Sequence, residues 1–371
     1  MRKTRHTRES DLAAILEMYD NSRREMRAEG NVTQWVGYPT EVQIEEDMAR
    51  GASFVVEDNG EAVGTFALVK GEEPTYNVIE RGRWIDESEY ATLHRMARVG
   101  NARGVSAAAF AYAKEECPHL RMDTHQSNYT MRHIAEREGF VYCGVVYMSD
   151  GTERLAYEWW RWDEVPEGLK EYVEESILPM YDTFDKAHGR GHVQRVMARA
   201  MKMEPSAKAY AAAAMHDIGL VAGRERHHEE SGRMIRGDRR LREWFDEAEV
   251  EEIAQAAEDH RASAGKAPRS RLGCIVAEAD RDIEPYTIVE RTVMYSLGHY
   301  PEESREWHWQ RIVQHIEEKY SENGYIRLWF ADSPNAEPLR ELRALYADRE
   351  RLKDMVEKIM DTLTHKNQAA K

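Results

Sequence analysis

Cysteine is scarce: Cys117, Cys143 and Cys274 stand far apart among 371 residues. An odd, dispersed set offers no disulfide framework and no Cys-x-x-Cys zinc pattern, so a reducing cytoplasm is the expected compartment. Long apolar runs are missing as well. None reaches the roughly 20 residues that span a bilayer, so no membrane partner is expected. The opening Met1-Arg-Lys-Thr-Arg-His6 lacks the apolar segment of a secretory leader. Positive charge is in deficit, with 52 Lys and Arg against 68 Asp and Glu and a net charge of −16. That argues against a dedicated binder of duplex nucleic acid, which needs a basic footprint. A small phosphorylated ligand in a locally basic or metal-lined pocket is still allowed. There is no Walker loop, no Gly-x-Ser-x-Gly elbow, no zinc-finger spacing and no internal repeat.

The length favours two domains, each with its own core. A hydrophobic fraction of 42% with a mean hydropathy of −0.75 describes a globular protein. Residues 1–160 read as mixed α/β. A strand at Lys3–His6 leads to a helix over residues 11–27, with Ser10 as its expected N-cap. Glu41–Ala49 reads as a helix. Residues 53–57 and 62–69 make a hairpin around Asp58-Asn59-Gly60, since Asn-Gly favours a two-residue turn. A strand (90–99), a helix (Val105–Glu116), a strand (120–124), a helix (128–138) and two strands (141–148 and 154–160) follow. Residues 161–179 form a linker with a short helix, and 180–371 read as all-α, broken at glycine- and proline-bearing turns. The Trp159-Trp160-Arg-Trp162 cluster marks the junction and reads as packing between the two halves. The charged run 233–242 reads as a solvated helix face.

The helical half is organised around Ala211-Ala-Ala-Ala-Met-His216-Asp217-Ile-Gly219. The alanine run is a strong helix former, and Gly219 is expected as the residue that ends it. Asp217 would then face the negative end of the helix dipole, unfavourable by about 0.3–1 kcal/mol. If buried it also needs a counter-charge. A cation held by His216 and Asp217 removes both problems. Candidate ligands follow in order: His192, His216, Asp217, His228, His260 and Asp280. Imidazole with carboxylate suits Mn, Fe, Co, Ni or Zn better than Ca. Six ligands suit two ions bridged by Asp217, a pair roughly 3.5–4 Å apart that clamps a phosphoryl group and acidifies the water between.

Gly191-His192-Val-Gln-Arg195, Met215-His216-Asp217-Ile-Gly219, His228-Glu-Glu-Ser-Gly232, Glu258-Asp-His260-Arg261 and Ala277-Glu-Ala-Asp280-Arg281 resemble the HD-domain superfamily over about residues 180–300. The resemblance implies an all-α helical bundle and a metal-dependent phosphohydrolase acting on a small phosphorylated metabolite or nucleotide. It implies ligand roles for His192, His216, Asp217, His228, His260 and Asp280, with His216 and Asp217 central to catalysis. His227 competes with His228, and the His-x-x-x-Gly spacing to Gly232 favours His228. His188, Arg261 and Lys266 are candidates for substrate oxygens, while Asp282 and Glu284 read as surface or outer residues. Some relatives with this ligand set hold two irons and activate oxygen instead; the Asp280-Arg-Asp282 and 261–265 contexts look more like the hydrolases. A metabolite sensor without turnover is the non-enzyme alternative.

The element order of residues 1–160 resembles the GNAT acyltransferase fold, a mixed sheet with flanking helices. That family binds acyl-CoA pyrophosphate at a helix N-terminus through a loop of the form R/Q-x-x-G-x-G/A. Asn101-Ala-Arg103-Gly104-Val105-Ser106 matches it, with Asn101 in place of Arg or Gln. Asn128, and Glu138-Gly139-Phe140 after it, match a second family segment. The resemblance therefore implies acetyl-CoA held by Arg103, Gly104, Val105, Ser106 and Asn128. The tyrosine that often serves as general acid is missing; Ile134 and Ala135 occupy its place. His94, His125 and Tyr129 are the remaining acid/base candidates. An acyltransferase, an acyl-CoA sensing module and a scaffold are the three roles open to this half.

Overall fold

The computed structural model describes residues 2–185, 187–261 and 267–369, and divides into two units, residues 1–162 and 163–371. The first contains β1 (Lys3–His6), α1 (Leu12–Ala28), α2 (Glu41–Ala49), β2 (Ser53–Asp58), β3 (Glu61–Lys70), β4 (Ile79–Glu80), β5 (Ala91–Arg98), α3 (Val105–Glu116), β6 (His119–Thr124), α4 (Tyr129–Arg137), β7 (Val141–Tyr147) and β8 (Glu153–Trp160). These strands form one sheet in the order β1-β2-β3-β5-β6-β8-β7-β4. Its core sets Phe54, Phe66 and Leu68 of the hairpin against Ala109, Phe110 and Ala113 of α3. Asn59 and Gly60 both take positive φ, as the tight hairpin turn demands. The mixed sheet with flanking helices is the architecture expected from the sequence. Two local details differ. The two-residue β4 is too short to leave a periodic signal. Ser10 is not the N-cap of α1: it lies in a 3-10 turn, Glu9–Asp11, and Asp11 takes the cap position.

The neighbouring strands are antiparallel except β5 and β6, which pair only at Ala91↔Leu120 and Thr92↔Arg121. Both strands run on past that point, so they diverge and open a wedge in mid-sheet. Trp159 packs near Phe140, and Trp160 stacks on His119, all within this unit.

The second unit begins with α5 (Glu167–Tyr172), a π turn (Val173–Ile177) and α6 (Leu178–Tyr181). Then come α7 (Arg190–Met203), α8 (Ala207–Met215), α9 (His227–Gly237), α10 (Glu247–Asp259), α11 (Arg271–Ala279), α12 (Pro285–His299), α13 (Arg305–Tyr320), α14 (Ala336–Ala347) and α15 (Arg349–Ala369). Ser206 caps α8 by accepting from the Ala209 N–H at 3.1 Å. The fully buried Ala211–Ala214 run lets α7, α10 and α11 close around it. Small side chains make that approach possible, and a central helix is the result. Val289 and Val293 of α12 pack with Ile312 and Ile316 of α13 and Leu352 of α15 in a separate core. Glu278, fully buried near the end of α11, accepts from Arg281, from the Trp329 N–H and from Ser333. This carboxylate fixes the end of α11 against the chain at 329–333. Among the described residues, no helix is long and apolar enough to cross a membrane.

Candidate metal centre

Three helices run out at one place. His216, His260 and Asp280 are the C-cap residues of α8, α10 and α11, while His192 lies in the first turn of α7 and His227 opens α9. His192 Nε2 stands 3.1 Å from Asp280 Oδ1. His216 Nε2 is 3.5 Å from Asp217 Oδ2 and 3.7 Å from Asp280 Oδ1. The other Asp217 oxygen, Oδ1, faces His227 Nε2 at 3.2 Å and His260 Nε2 at 3.3 Å. Two triads of ligand atoms, each within 4.8 Å of one another, therefore share Asp217: His192–His216–Asp217 and Asp217–His227–His260.

Hydrogen bonds behind the rings fix how the imidazoles point. Nδ1 of His216, His227 and His260 donates to the carbonyls of Ala213 (2.7 Å), Arg224 (2.8 Å) and Ala257 (2.6 Å). A carbonyl can only accept, so Nδ1 carries the proton and Nε2 turns a lone pair inward. The lone pairs of His227 and His260 meet 3.3 Å apart, facing a carboxylate oxygen. His192 Nε2, His216 Nε2 and Asp217 Oδ1 are buried with no hydrogen-bond partner. Such orphaned groups cost about 1–3 kcal/mol each, and only a cation or shared protons can sit among them. The donor set fits divalent metal. The backbone supports the turn: Tyr181 donates its hydroxyl to Ala214 O at 2.8 Å and accepts from the Asp217 N–H at 3.3 Å.

The charges are mutually dependent. Burial disfavours a charged His216 and pushes its pKa down to about 4. Burial works the same way on His260, but without a cation between them Asp217 outweighs it, drawing a second proton onto Nε2 and carrying that pKa up to about 9. Burial alone would raise Asp217; positive charge on His216, His260 or His192 across the cluster works the other way and holds it well below the usual carboxylate range. Burial would likewise raise Asp280, and His192, 3.1 Å away, lowers it.

Five of the six candidate ligands thus gather, and one is displaced. His228, favoured on spacing, lies beside the cluster, its ring 5.5 Å from that of His227, with Nδ1 buried and unpartnered. His227 takes the inner position. The Gly232 used to choose between them serves packing instead: a Cβ there would come within 2.5 Å of Glu258 Oε1. Gly219 likewise does not cap α8 with a positive φ. It lies in a 3-10 turn (Ile218–Ala222), where a Cβ would meet His227 O at 2.1 Å and Ser231 N at 2.4 Å. Asp282, expected at the surface or behind the ligands, has a side chain only 10% exposed; burial would raise its carboxyl, but Arg199, Arg195 and Arg291 hold it far below its usual range. Glu284 caps α12, accepting from the Tyr286 and Thr287 N–H groups.

Of the substrate candidates, His188 has its ring 6.1 Å from that of His192. Its Nδ1 bonds Asp185 at 2.9 Å, and Arg224 Nη2 lies 3.4 Å from its Nε2. Arg261 is exposed and donates to Glu225 O at 3.1 Å, while Lys266 lies outside the described residues. Sequence reasoning missed a cleft of about 500 Å³ with Asp280 in its wall, lined also by Arg291, Arg311, His315 and Lys319. The signal was present: 311, 315 and 319 are four apart and share one helix face.

In the first unit the wedge between β5 and β6 belongs to a cleft of about 1320 Å³. Arg103, Gly104, Val105, Ser106, Asn128, Glu73, His94 and Asp123 are in its wall. Gly104, at φ +70°, is the N-cap of α3, so the free N–H groups of that helix open beside the cleft. Asn128 caps α4 by accepting from the Met131 N–H at 3.0 Å. His94 lies 3.4 Å from Glu73 and 4.0 Å from Asp123. Tyr129 is 66% exposed and also borders this cleft, and His125 contacts Thr33 at 3.3 Å.

Residues 190–283 match the family model for the HD domain. No curated protein matches the chain. Similar solved structures include a GNAT-family acetyltransferase from Streptococcus agalactiae, 30% identical over 43% of this chain and 95% of that one, TM-score 0.40. A Listeria monocytogenes GNAT-family acetyltransferase is 19% identical over 43% and 95% of the two chains, TM-score 0.35. For an acetyltransferase from Staphylococcus aureus the values are 20%, 42%, 97% and 0.33.

Proposed function

We propose, on the premise that this chain joins a GNAT-like mixed-sheet unit to an HD domain, that the helical unit is a two-ion phosphohydrolase for a small phosphorylated molecule. The HD domain implies a metal-dependent hydrolase. The observation that carries the two-ion reading is the division of labour at Asp217, whose oxygens face separate sets of imidazoles. His192, His216 and Asp280 would serve one position, His227 and His260 the other, and Asp217 both. Bound divalent ions, drawn from Mn, Fe, Co, Ni and Zn, would neutralise phosphoryl oxygens and acidify a water between them. The chain supplies the rest. Its back-bonded imidazoles hold their lone pairs in place before substrate arrives. His188 with Arg224, and Arg261, offer donors to the outer phosphoryl oxygens.

Asp217→Ala tests the reading: it should remove both ions by elemental analysis and abolish phosphate release from a panel of phosphorylated metabolites. Retained turnover contradicts it. Oxygen uptake without phosphate release would assign diiron oxygenase chemistry instead. Binding without either would assign a sensor.

For the first unit, the wedge and the free N–H groups at Gly104 support acyl-CoA as ligand, with Arg103, Gly104, Val105, Ser106 and Asn128 around it. Calorimetric titration with acetyl-CoA tests this, and absence of heat and of thermal shift at millimolar ligand would leave a scaffold role.

A further inference from the structure

We propose that the substrate carries a second anionic group, held away from the metal centre by the cationic face of α13. This rests on the hydrolase reading and adds to it a class of substrate: phosphorylated small molecules bearing a further phosphate or carboxylate. The residues concerned lie beyond the matched HD domain, which ends at 283.

Side-chain exposure is 28% at Asp280, against 13% at His227 and 9% or less at His192, His216, Asp217 and His260. The centre is thus most open where Asp280 enters the neighbouring cleft, and that cleft is lined by Arg291, Arg311, His315 and Lys319. The charges there are unequally satisfied. Arg281 is paired with Glu278 at 2.9 Å and Arg291 with Asp282 at 3.3 Å. Arg311 and Lys319 have no carboxylate within ion-pairing distance among the described residues. Arg311 is instead oriented by two rings, 4.9 Å from Tyr295 and 5.3 Å from Tyr300, and its Nη1 is buried without a hydrogen-bond partner. Lys319 Nζ lies 5.2 Å from the Tyr320 ring.

Rings orient a cation without neutralising it. Ile283, Ile288 and Ile326 also line the cleft and reduce the water available to solvate these charges. From Arg311 to Lys319 is about 12 Å along the helix, more than one phosphoryl group can cover. A chain of net charge −16 that leaves two cations unpaired in a cleft beside its metal ligands has a place for a second anion.

The test is calorimetric titration of the metal-loaded full chain with pentylphosphonate and pentane-1,5-diphosphonate, inert probes that differ in the second anion. The diphosphonate should bind tighter by about tenfold or more, as for a charge-assisted hydrogen bond. Arg311→Gln and Lys319→Gln, which keep most of the aliphatic stem, should each erode that preference and together erase it, leaving pentylphosphonate affinity unchanged. Equal binding of both probes by a chain that holds two ions overturns the second-anion proposal alone. A preference that survives in the double variant overturns it equally. A chain that takes up no ions overturns the hydrolase reading, and with it the substrate class proposed here, even if it still prefers the diphosphonate.

Discussion

Replacing Gly219 by alanine should separate the two metal positions. The added Cβ would lie 2.1 Å from His227 O, 2.4 Å from Ser231 N and 2.9 Å from Glu230 Cβ. All three belong to the first turns of α9. Backbone atoms cannot swing aside as a long side chain can, so α9 must back away by about 1 Å to restore ordinary contact. Gly219 also donates its N–H to Ser231 Oγ at 2.9 Å, a bond the same movement weakens. His227 rides on that turn, and its Nε2 would move off Asp217 Oδ1 and His260 Nε2, now 3.2 and 3.3 Å away. The other triad, His192–His216–Asp217, draws on α7 and the end of α8 and is not displaced.

Overpacking of this kind costs about 1–3 kcal/mol, too little to unfold a domain of this size but enough to empty one position. A misplacement near 1 Å can lower turnover about 100-fold. Elemental analysis should fall from two ions per chain to one, with circular dichroism unchanged and the thermal midpoint lowered by several degrees. Gly237→Ala is the matched control: it lies at the end of the same helix with nothing within 4 Å of the new Cβ, and should be neutral or stabilising by about 0.4–1 kcal/mol. Two ions and full turnover in Gly219→Ala would falsify the idea that α9 delivers a ligand.

Three further outcomes are expected. His227→Ala should lose one ion and most phosphate release, whereas His228→Ala should keep both ions; the reverse pattern restores the reading from His-x-x-x-Gly spacing. Glu73 is held at a pKa of about 2, down from 4.5, first by its hydrogen bond to His94 and against the effect of burial. A carboxylate depressed in the folded state stabilises it above pH 4.5 and loses that contribution as pH falls to about 2. Glu73→Gln should therefore cost on the order of 2 kcal/mol at pH 7, and chemical denaturation between pH 4.5 and 2 should be less pH-dependent; an unchanged acid slope refutes the pairing. Gly104→Ala forces a side chain into a left-handed conformation at φ +70°, a strain of roughly 1–2 kcal/mol. It should weaken acetyl-CoA affinity while the far-ultraviolet spectrum holds, and equal heats in calorimetry would remove this loop from the binding site.

What the sequence disclosed about the fold was local. Asn59-Gly60 and the Ala211–Ala214 run each act within a few residues, so the hairpin and α8 could be placed without knowing what they touch. What it concealed depends on partners far along the chain. His227 and His228 are adjacent on α9, and nothing local decides which ring turns inward. The decision is made by Asp217 and His260, and by the Arg224 carbonyl that fixes the His227 ring. Gly219 and Gly232 looked like punctuation and a motif spacing; both are glycines because another backbone or carboxylate occupies the space of a Cβ. Asp282 could not be assigned between the surface and a place behind the ligands because two of its counter-ions, Arg195 and Arg199, are distant in sequence. The same limit applies to Arg311, His315 and Lys319. Their spacing shows one helical face, but whether that face meets water or a cleft is decided by α12 across from it. A ligand set can therefore be read from residue types and order, whereas its register, and the substrate that reaches it, are properties of helix packing.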